Sequence, residues 1–280
     1  MKKGFYILKD LGIILSAVLL MLFLSYGITE LLKNKREGKQ DRSRYAVLSI
    51  ESALKSLIVE SLSLQELVVD VPEVNGTIQA IMDRLLSVTD PQPYDIEVLV
   101  LNSPVVNALT FPGGLIVVYS GLINSLDSAE EMAAVLAHEL GHVVNRDSMK
   151  SLSRQIGLSI FFSLFGGRNA QVLVERIIQE ATNIRFSRAV ESRADDYALD
   201  LLTAAEIDPA NLGAALDNLK KENKHELGTI LKYIDSHPEI DTRIKKAYEK
   251  SSLPGEDYKP FEINWNEVKN SLPPIRDLFR

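Results

Sequence analysis

The sequence predicts an α+β chain, mostly helical, with a small β-sheet beside one chemistry-bearing helix and an apolar helix at its N-terminus. Three observations carry this reading. Apolar residues recur at helical spacing over most of the chain. A single stretch between residues 94 and 119 turns β-rich. The opening residues hold one long uncharged run.

That run covers Leu11 to Thr29, 19 consecutive residues rich in Leu, Ile, Val and Phe. At about 1.5 Å per residue it nearly crosses a hydrocarbon layer of about 30 Å. Signal peptides have shorter apolar runs and a small-residue cleavage site, and no A-x-A pattern follows here. Residues 1–32 therefore read as a retained transmembrane anchor, with a cleaved signal or a buried helix as the alternatives, and residues 33–44 as a basic linker or a helical extension of the anchor. Residues 1–44 carry nine Lys or Arg against four Asp or Glu, a net +5, which leaves −12 for the rest of a chain whose total is −7. A basic arm beside an apolar segment points to a membrane surface, and an acidic body argues against nucleic acid as a partner. Counting Lys and Arg near the span slightly favours its far side as the cytoplasmic one.

The remaining elements follow in order. Val47, Ile50, Leu54, Leu57 and Ile58 place a helix within residues 45–69. Pro72 at a helix start, then Val74, Ile78, Ile81, Met82, Leu85 and Leu86, predict a second amphipathic helix, closed by Asp90, Pro91 and Pro93. Tyr94 to Asn102 and Leu115 to Tyr119 read as strands, the latter introduced by Pro112-Gly113-Gly114, with a short strand at Asn107 to Thr110 between them. Asp127 and Ser128, followed three residues later by Glu130 and Glu131, are capping-box signals for a helix running through His142. Residues 156–165 are strongly apolar but too short for a straight span, which suits a buried or membrane-dipping segment. Residues 171–202 read as one long helix, short helices follow to about 250, and the proline-bearing tail 251–280 reads as irregular. The folded body is thus 45–250. Its composition, 46% hydrophobic and 25% charged, is that of a globular protein, and the absence of cysteine excludes disulfides, thiolate ligands and thiol nucleophiles.

The chemistry concentrates in His138-Glu139-Leu140-Gly141-His142. On a helix, positions i and i+4 lie about 5–6 Å apart at Cβ, so two imidazoles can share one zinc. Glu139, offset by one residue, reaches a water on the metal rather than the metal, and suits a general base. A surface helix with coincidental His, Glu and His is the competing reading, but the segment is apolar, and buried charge is costly unless paired or metal-bound. A third ligand is needed. Glu191 and Asp195 share a helix face at i, i+4. Glu191 can ligate, and Asp195 can hold the second nitrogen of a ligand imidazole. The alternative is a solvated helix on which Arg188 and Arg193 pair with these acids.

HELGH at 138–142, SRAVESRAD at 187–195, NSPVVNALTFPGGLIVVYSGL at 102–122 and SHPEIDTRI at 236–244 together resemble the HtpX-like and CAAX-prenyl-protease-type membrane zinc metallopeptidases, which are gluzincins. The resemblance spans roughly residues 70–250. It implies a zincin-like domain with one Zn2+ per chain held by His138, His142 and Glu191, Glu139 as general base, and Asp195 in support. It further implies that the strand bearing Asn107, Ala108, Leu109 and Thr110 pairs with an extended substrate backbone. His237 is implied to lie near the zinc, as an oxyanion stabiliser or as a fourth ligand in a latent state, with Arg243 orienting its segment. The single predicted span resembles single-span or exported relatives that handle misfolded envelope proteins, which implies an extracytoplasmic domain, unfolded protein substrates and a quality-control role. Three rival readings remain. One is a non-hydrolytic chaperone or adaptor that retains the fold, against which an intact Glu139 argues. Another is a structural zinc closed by His237. The third is membrane-protein assembly without cleavage.

Overall fold

The computed structural model describes residues 37–65, 67–155, 170–225, 233, 236–237, 239–251 and 257–275. The apolar run at 11–29 and the segment 156–165 lie outside the described residues. Among the described residues no helix is long and apolar enough to cross a membrane. The chain divides into two compact units, 1–50 and 51–280. Helix α1 spans Glu37–Leu64, and the second unit is built as follows.

Leu54, Ile58 and Leu62, each four residues on from the last, form the buried stripe of the later part of α1. Helix α2, Pro72–Leu86, opens with proline where the backbone needs no N–H, and buries Val74, Ile78, Ile81, Met82 and Leu85. Strands β1 (Glu97–Leu101), β2 (Ala108–Phe111) and β3 (Leu115–Tyr119) form a sheet of order β1-β3-β2, with β1 parallel and β2 antiparallel to β3. Among the described residues β2 is therefore an edge strand. The turn into β3 uses Gly113 and Gly114, both at φ 79°, and a Cβ on Gly113 would sit 2.6 Å from the Glu51 carbonyl oxygen.

A short helix α3 (Ser120–Ser125) leads to α4 (Ala129–Val144). The Ser128 hydroxyl accepts from Glu131 N at 3.1 Å, while the Glu131 carboxylate accepts from Asp127 N at 2.8 Å, so the cap is made by Ser128 with Glu131, and Glu130 turns instead to Phe261 N. From Met132 to Val143 every residue of α4 is buried, as expected of a central helix. α5 (Asp147–Gln155), α6 (Ala170–Asn183), α7 (Arg188–Ala204), α8 (Ala210–His225) and α9 (Ile240–Ser251) complete the helical body.

Two expectations are corrected. The helix foreseen over 171–202 is broken at 184–187, where the backbone extends and Phe186 turns inward to stack on His142. The tail is also not wholly irregular. It carries helix α10 (Trp265–Ser271), and Trp265, 5% exposed, donates its indole N–H to Leu126 O at 2.9 Å. Burial of one aromatic and its satisfied N–H outweighs the prolines on either side.

α4 and α7 cross closely at Gly141. A Cβ there would lie 3.0 Å from both Cα and O of Ala194. These two small residues let the helices approach, and that approach sets the candidate site.

Candidate active site

His138 and His142 project from one face of α4, their ring centroids 4.8 Å apart and their Nε2 atoms 3.1 Å apart. Each ring is turned by its other nitrogen. His138 Nδ1 lies 2.9 Å from Asp195 Oδ1, and His142 Nδ1 lies 3.2 Å from Asp147 Oδ2. A proton donated from each Nδ1 to its carboxylate leaves a bare lone pair on each Nε2. Across α7's first turn Glu191 places Oε2 3.6 Å from His138 Nε2 and Oε1 3.5 Å from His142 Nε2. His237 completes the group, its Nδ1 3.2 Å from His138 Nε2 and 3.0 Å from Glu191 Oε2. One ligand atom from each of these four buried residues lies within 4.8 Å of every other.

This donor set fits a metal ion. Two imidazole lone pairs facing each other at 3.1 Å repel unless a cation sits between them, and two ligands on a tetrahedral zinc with bonds of about 2.0–2.1 Å are themselves about 3.3 Å apart. Nitrogen and carboxylate donors without thiolate suit zinc or a harder metal.

The electrostatics point the same way. Burial pulls His138 below the ordinary imidazole range, and neighbouring Arg243 adds to this. Burial also depresses His142, but its hydrogen bonds to Asp147 and Glu191 and the charge of Glu139 override it and lift the ring to about 9. Burial works to raise the Glu191 carboxyl, yet His237 and His142 hold it far below the usual carboxylate range. Asp195 is likewise held low against burial, chiefly by Arg243. An anionic pocket that attracts a proton to His142 attracts a metal cation in its place.

Arg243, on α9 and 5% exposed, ties the supporting carboxylates together. Its Nε and Nη2 grip Asp195 at 2.8 and 2.9 Å, and Nη1 lies 3.1 Å from Glu191 Oε2 and 3.4 Å from the His237 carbonyl oxygen. Glu139 sits one position beyond His138. Its Oε2 accepts from the Thr110 hydroxyl at 2.7 Å, and its Oε1 is buried without a hydrogen-bond partner, 3.8 Å from His237 Nε2.

Ala108, Leu109 and Thr110 of β2 line a narrow pocket with Glu139, Ala181, Ile184, Phe186, Ser236 and His237. Asn107 stands outside it: its backbone oxygen accepts from Tyr119 N at 3.1 Å, and its side chain is buried. The His237 segment is pinned by Tyr233 N on Val106 O at 3.2 Å and by Phe186 N on Ser236 O at 3.3 Å, while the Tyr233 ring stacks on His237 at 4.5 Å.

Sequence reasoning missed Asp147, Phe186 and Tyr233. Asp147 has a readable signal, since Asn145-Arg146-Asp147 ends one helix and opens another just past the second histidine. Phe186 and Tyr233 act through contacts that no spacing reveals.

The chain is similar to named peptidases. It is 34% identical over 149 residues to the mitochondrial metalloendopeptidase OMA1 of Arabidopsis thaliana, covering 53% of this chain and 30% of that protein. It is 30% identical over 170 residues to the metalloprotease LoiP of Escherichia coli, covering 59% and 65%. To the beta-barrel assembly-enhancing protease of Yersinia pestis it is 24% identical over 216 residues, covering 72% and 44%. The chain thus spans between about a third and two thirds of the length of these relatives. The family model described as Peptidase family M48 matches residues 72–251, which contain every element that supplies a residue to the site, and the chain belongs to that family.

Proposed function

We propose that this chain is a zinc-dependent endopeptidase that hydrolyses extended or unfolded segments of proteins at a membrane. The observation that carries the proposal is the convergence of His138, His142, Glu191 and His237 beside a buried carboxylate oxygen of Glu139 that has no partner.

His138, His142 and Glu191 would hold one zinc ion. When bound, zinc supplies Lewis acidity, polarising a carbonyl and lowering the pKa of a coordinated water to about 7. The protein's own groups do the rest. Asp195 and Asp147 fix the tautomers of the two imidazoles, and Arg243 holds Asp195, Glu191 and the His237 carbonyl in register. Glu139 takes a proton through Oε1 from the attacking water and delivers it to the leaving amine. The edge of β2 at Ala108 to Thr110 pairs with the substrate backbone, while Asn107, turned to β3, anchors the strand's start. His237 either donates from Nε2 to the developing oxyanion or closes the metal site through Nδ1. The position of His237 Nδ1, 3.2 Å from His138 Nε2 and 3.0 Å from Glu191 Oε2, supports the second role as a latent state.

The uncharged run at 11–29 supports an anchor over residues 1–32, followed by the 33–44 linker, the peptidase domain from 45 to 250 and the 251–280 tail. A quality-control role and an extracytoplasmic domain complete the proposal, and relatives named as a metalloendopeptidase and a β-barrel assembly-enhancing protease support its proteolytic part. A non-hydrolytic adaptor with a structural zinc is the second reading, and four protein donors in one group favour it.

The test measures zinc content and casein cleavage by the full-length chain in detergent. The expected outcome is one zinc per chain in wild type and in Glu139→Gln, with cleavage falling at least about a hundredfold in the latter. His237→Ala should keep its zinc; faster cleavage marks the latent role, slower cleavage the oxyanion role. Tight zinc binding with no cleavage in wild type or His237→Ala would put the adaptor reading ahead.

A further inference from the structure

Thr110 does two things at once. Its backbone lies on β2, paired opposite Ile116, at the edge proposed for substrate. Its hydroxyl lies 2.7 Å from Glu139 Oε2 and 3.3 Å from the Glu139 carbonyl oxygen. A hydroxyl has one proton to give, and the shorter contact, to a charged acceptor, falls in the range of charge-assisted O–H···O bonds.

The terminal torsion of a glutamate is soft and roughly two-fold, so packing alone leaves the carboxylate free to turn. A single tether on Oε2 removes that freedom. The tether is itself stiff, because a β-branched side chain in a strand has restricted χ1. With Oε2 held towards the sheet, Oε1 is left facing His237, and it is the buried oxygen without a partner.

We propose that Thr110 is a positioning residue for Glu139: its hydroxyl, presented from the edge strand, orients the carboxylate so that Oε1 faces the donor cluster. This rests on the endopeptidase reading and extends it. The strand that would align the scissile bond also aligns the base, so a shift of β2 moves both together. The competing account is that a buried hydroxyl, 7% exposed, merely takes the nearest acceptor to avoid the cost of burial unpaired. The two accounts differ in what Glu139 does when the hydroxyl is removed.

The experiment uses the full-length chain in detergent with Thr110→Val, which keeps the shape and suits a strand, and Thr110→Ser, which restores the donor. Thr110→Ala, which also lacks the hydroxyl, replaces the valine variant should that one fail to fold. Zinc content should stay at one per chain in all. With an extended fluorogenic peptide, KM should hold while kcat falls about tenfold to a hundredfold in Thr110→Val, the effect of losing a hydrogen bond to a charged group, and Thr110→Ser should recover most of it. Crystal structures of the zinc-free proteins should show the Glu139 carboxylate turned in Thr110→Val and in its wild-type orientation in Thr110→Ser. A carboxylate unmoved in Thr110→Val overturns the proposal, as does a loss in KM or zinc content that serine does not restore. If wild type cleaves no peptide, the endopeptidase reading fails separately, and the zinc-free structures still decide whether Thr110 orients Glu139.

Discussion

Arg146 joins the active-site helix to the one after it with a left-handed backbone, φ 54°, a conformation costly for a residue with a side chain. The turn brings Asp147 back under His142, and the arginine side chain reaches Glu51, with Nη2 2.7 Å from Oε1. Glu51 is 1% exposed, and burial raises its carboxyl above the ordinary range despite Arg146, which lowers it by hydrogen bond and charge. A carboxyl raised by folding contributes its full stability below its unfolded pKa and loses it as the pH climbs through the folded value. Removing Arg146 raises that folded value further. Arg146→Ala is therefore expected to lose about 2–3 kcal/mol at pH 8, where Glu51 is left charged and alone, and clearly less at pH 5. Urea unfolding of the zinc-free protein at the two pH values checks this, and a pH-independent gap would contradict it. The residue scale also shows where sequence reading reaches. The two histidines and Glu139 are legible because their geometry is local to one helix. Glu191 and Asp195 follow from helical spacing. His237 and Arg243 enter only by resemblance, because nothing local fixes their distance from the helix. The grip of Thr110 on Glu139 spans two elements and leaves no mark in either segment.

At the scale of elements, the crossing of α4 and α7 governs how near Glu191 comes to the histidines. Gly141 lies at that crossing against the backbone of Ala194, which cannot move aside as a flexible side chain would. Gly141→Ala should lose about 1–3 kcal/mol of stability through overpacking, although alanine is the better helix former, and should weaken zinc binding as the helices part. Gly76→Ala on α2 is the control. That position is exposed with nothing within 4 Å of the added Cβ, so this change should gain about 0.5–1 kcal/mol. Thermal unfolding and zinc titration of both variants read the contrast, and equal shifts would refute the crossing argument. The strands and the caps of α4 were legible because turn glycines and capping residues act within a few positions. The break at 184–187 was not. Ile184, Arg185 and Phe186 carry no breaker, and the extension there is enforced by packing of Phe186 on His142 at 4.3 Å. Tertiary contact overrides local propensity at this point.

Over the second unit as a whole, the C-terminal strap holds the helical layers to one another. Lys259 N donates to Glu206 O at 2.8 Å, Phe261 N to a Glu130 carboxylate oxygen at 2.7 Å, and the Trp265 indole to Leu126 O. Arg84 completes the clasp, donating to the Ala205 and Glu206 carbonyls at the end of α7 and lying 4.7 Å over the Phe261 ring. Trp265→Ala should cost about 3–5 kcal/mol while leaving zinc affinity unchanged, since the strap touches α4 far from His138. Denaturant melts with parallel zinc titrations test it, and a coupled loss of affinity would show that the strap reaches the site. Prolines flanking this region led the sequence reading to irregular structure. They punctuate the strap without preventing its helix.

The donor groups come from widely spaced parts of the chain: His237 stands 99 positions after His138 and 46 after Glu191. Each such contact closes a long loop, and closure of long loops is slow because its entropy is lost before the contact rewards it. The helix with both histidines is specified by local signals, whereas Glu191 and His237 reach it only where α7 and the His237 segment are docked. A nascent or half-folded copy therefore carries the motif without an assembled centre, and whatever bond cleavage this centre performs begins only after the chain has finished folding.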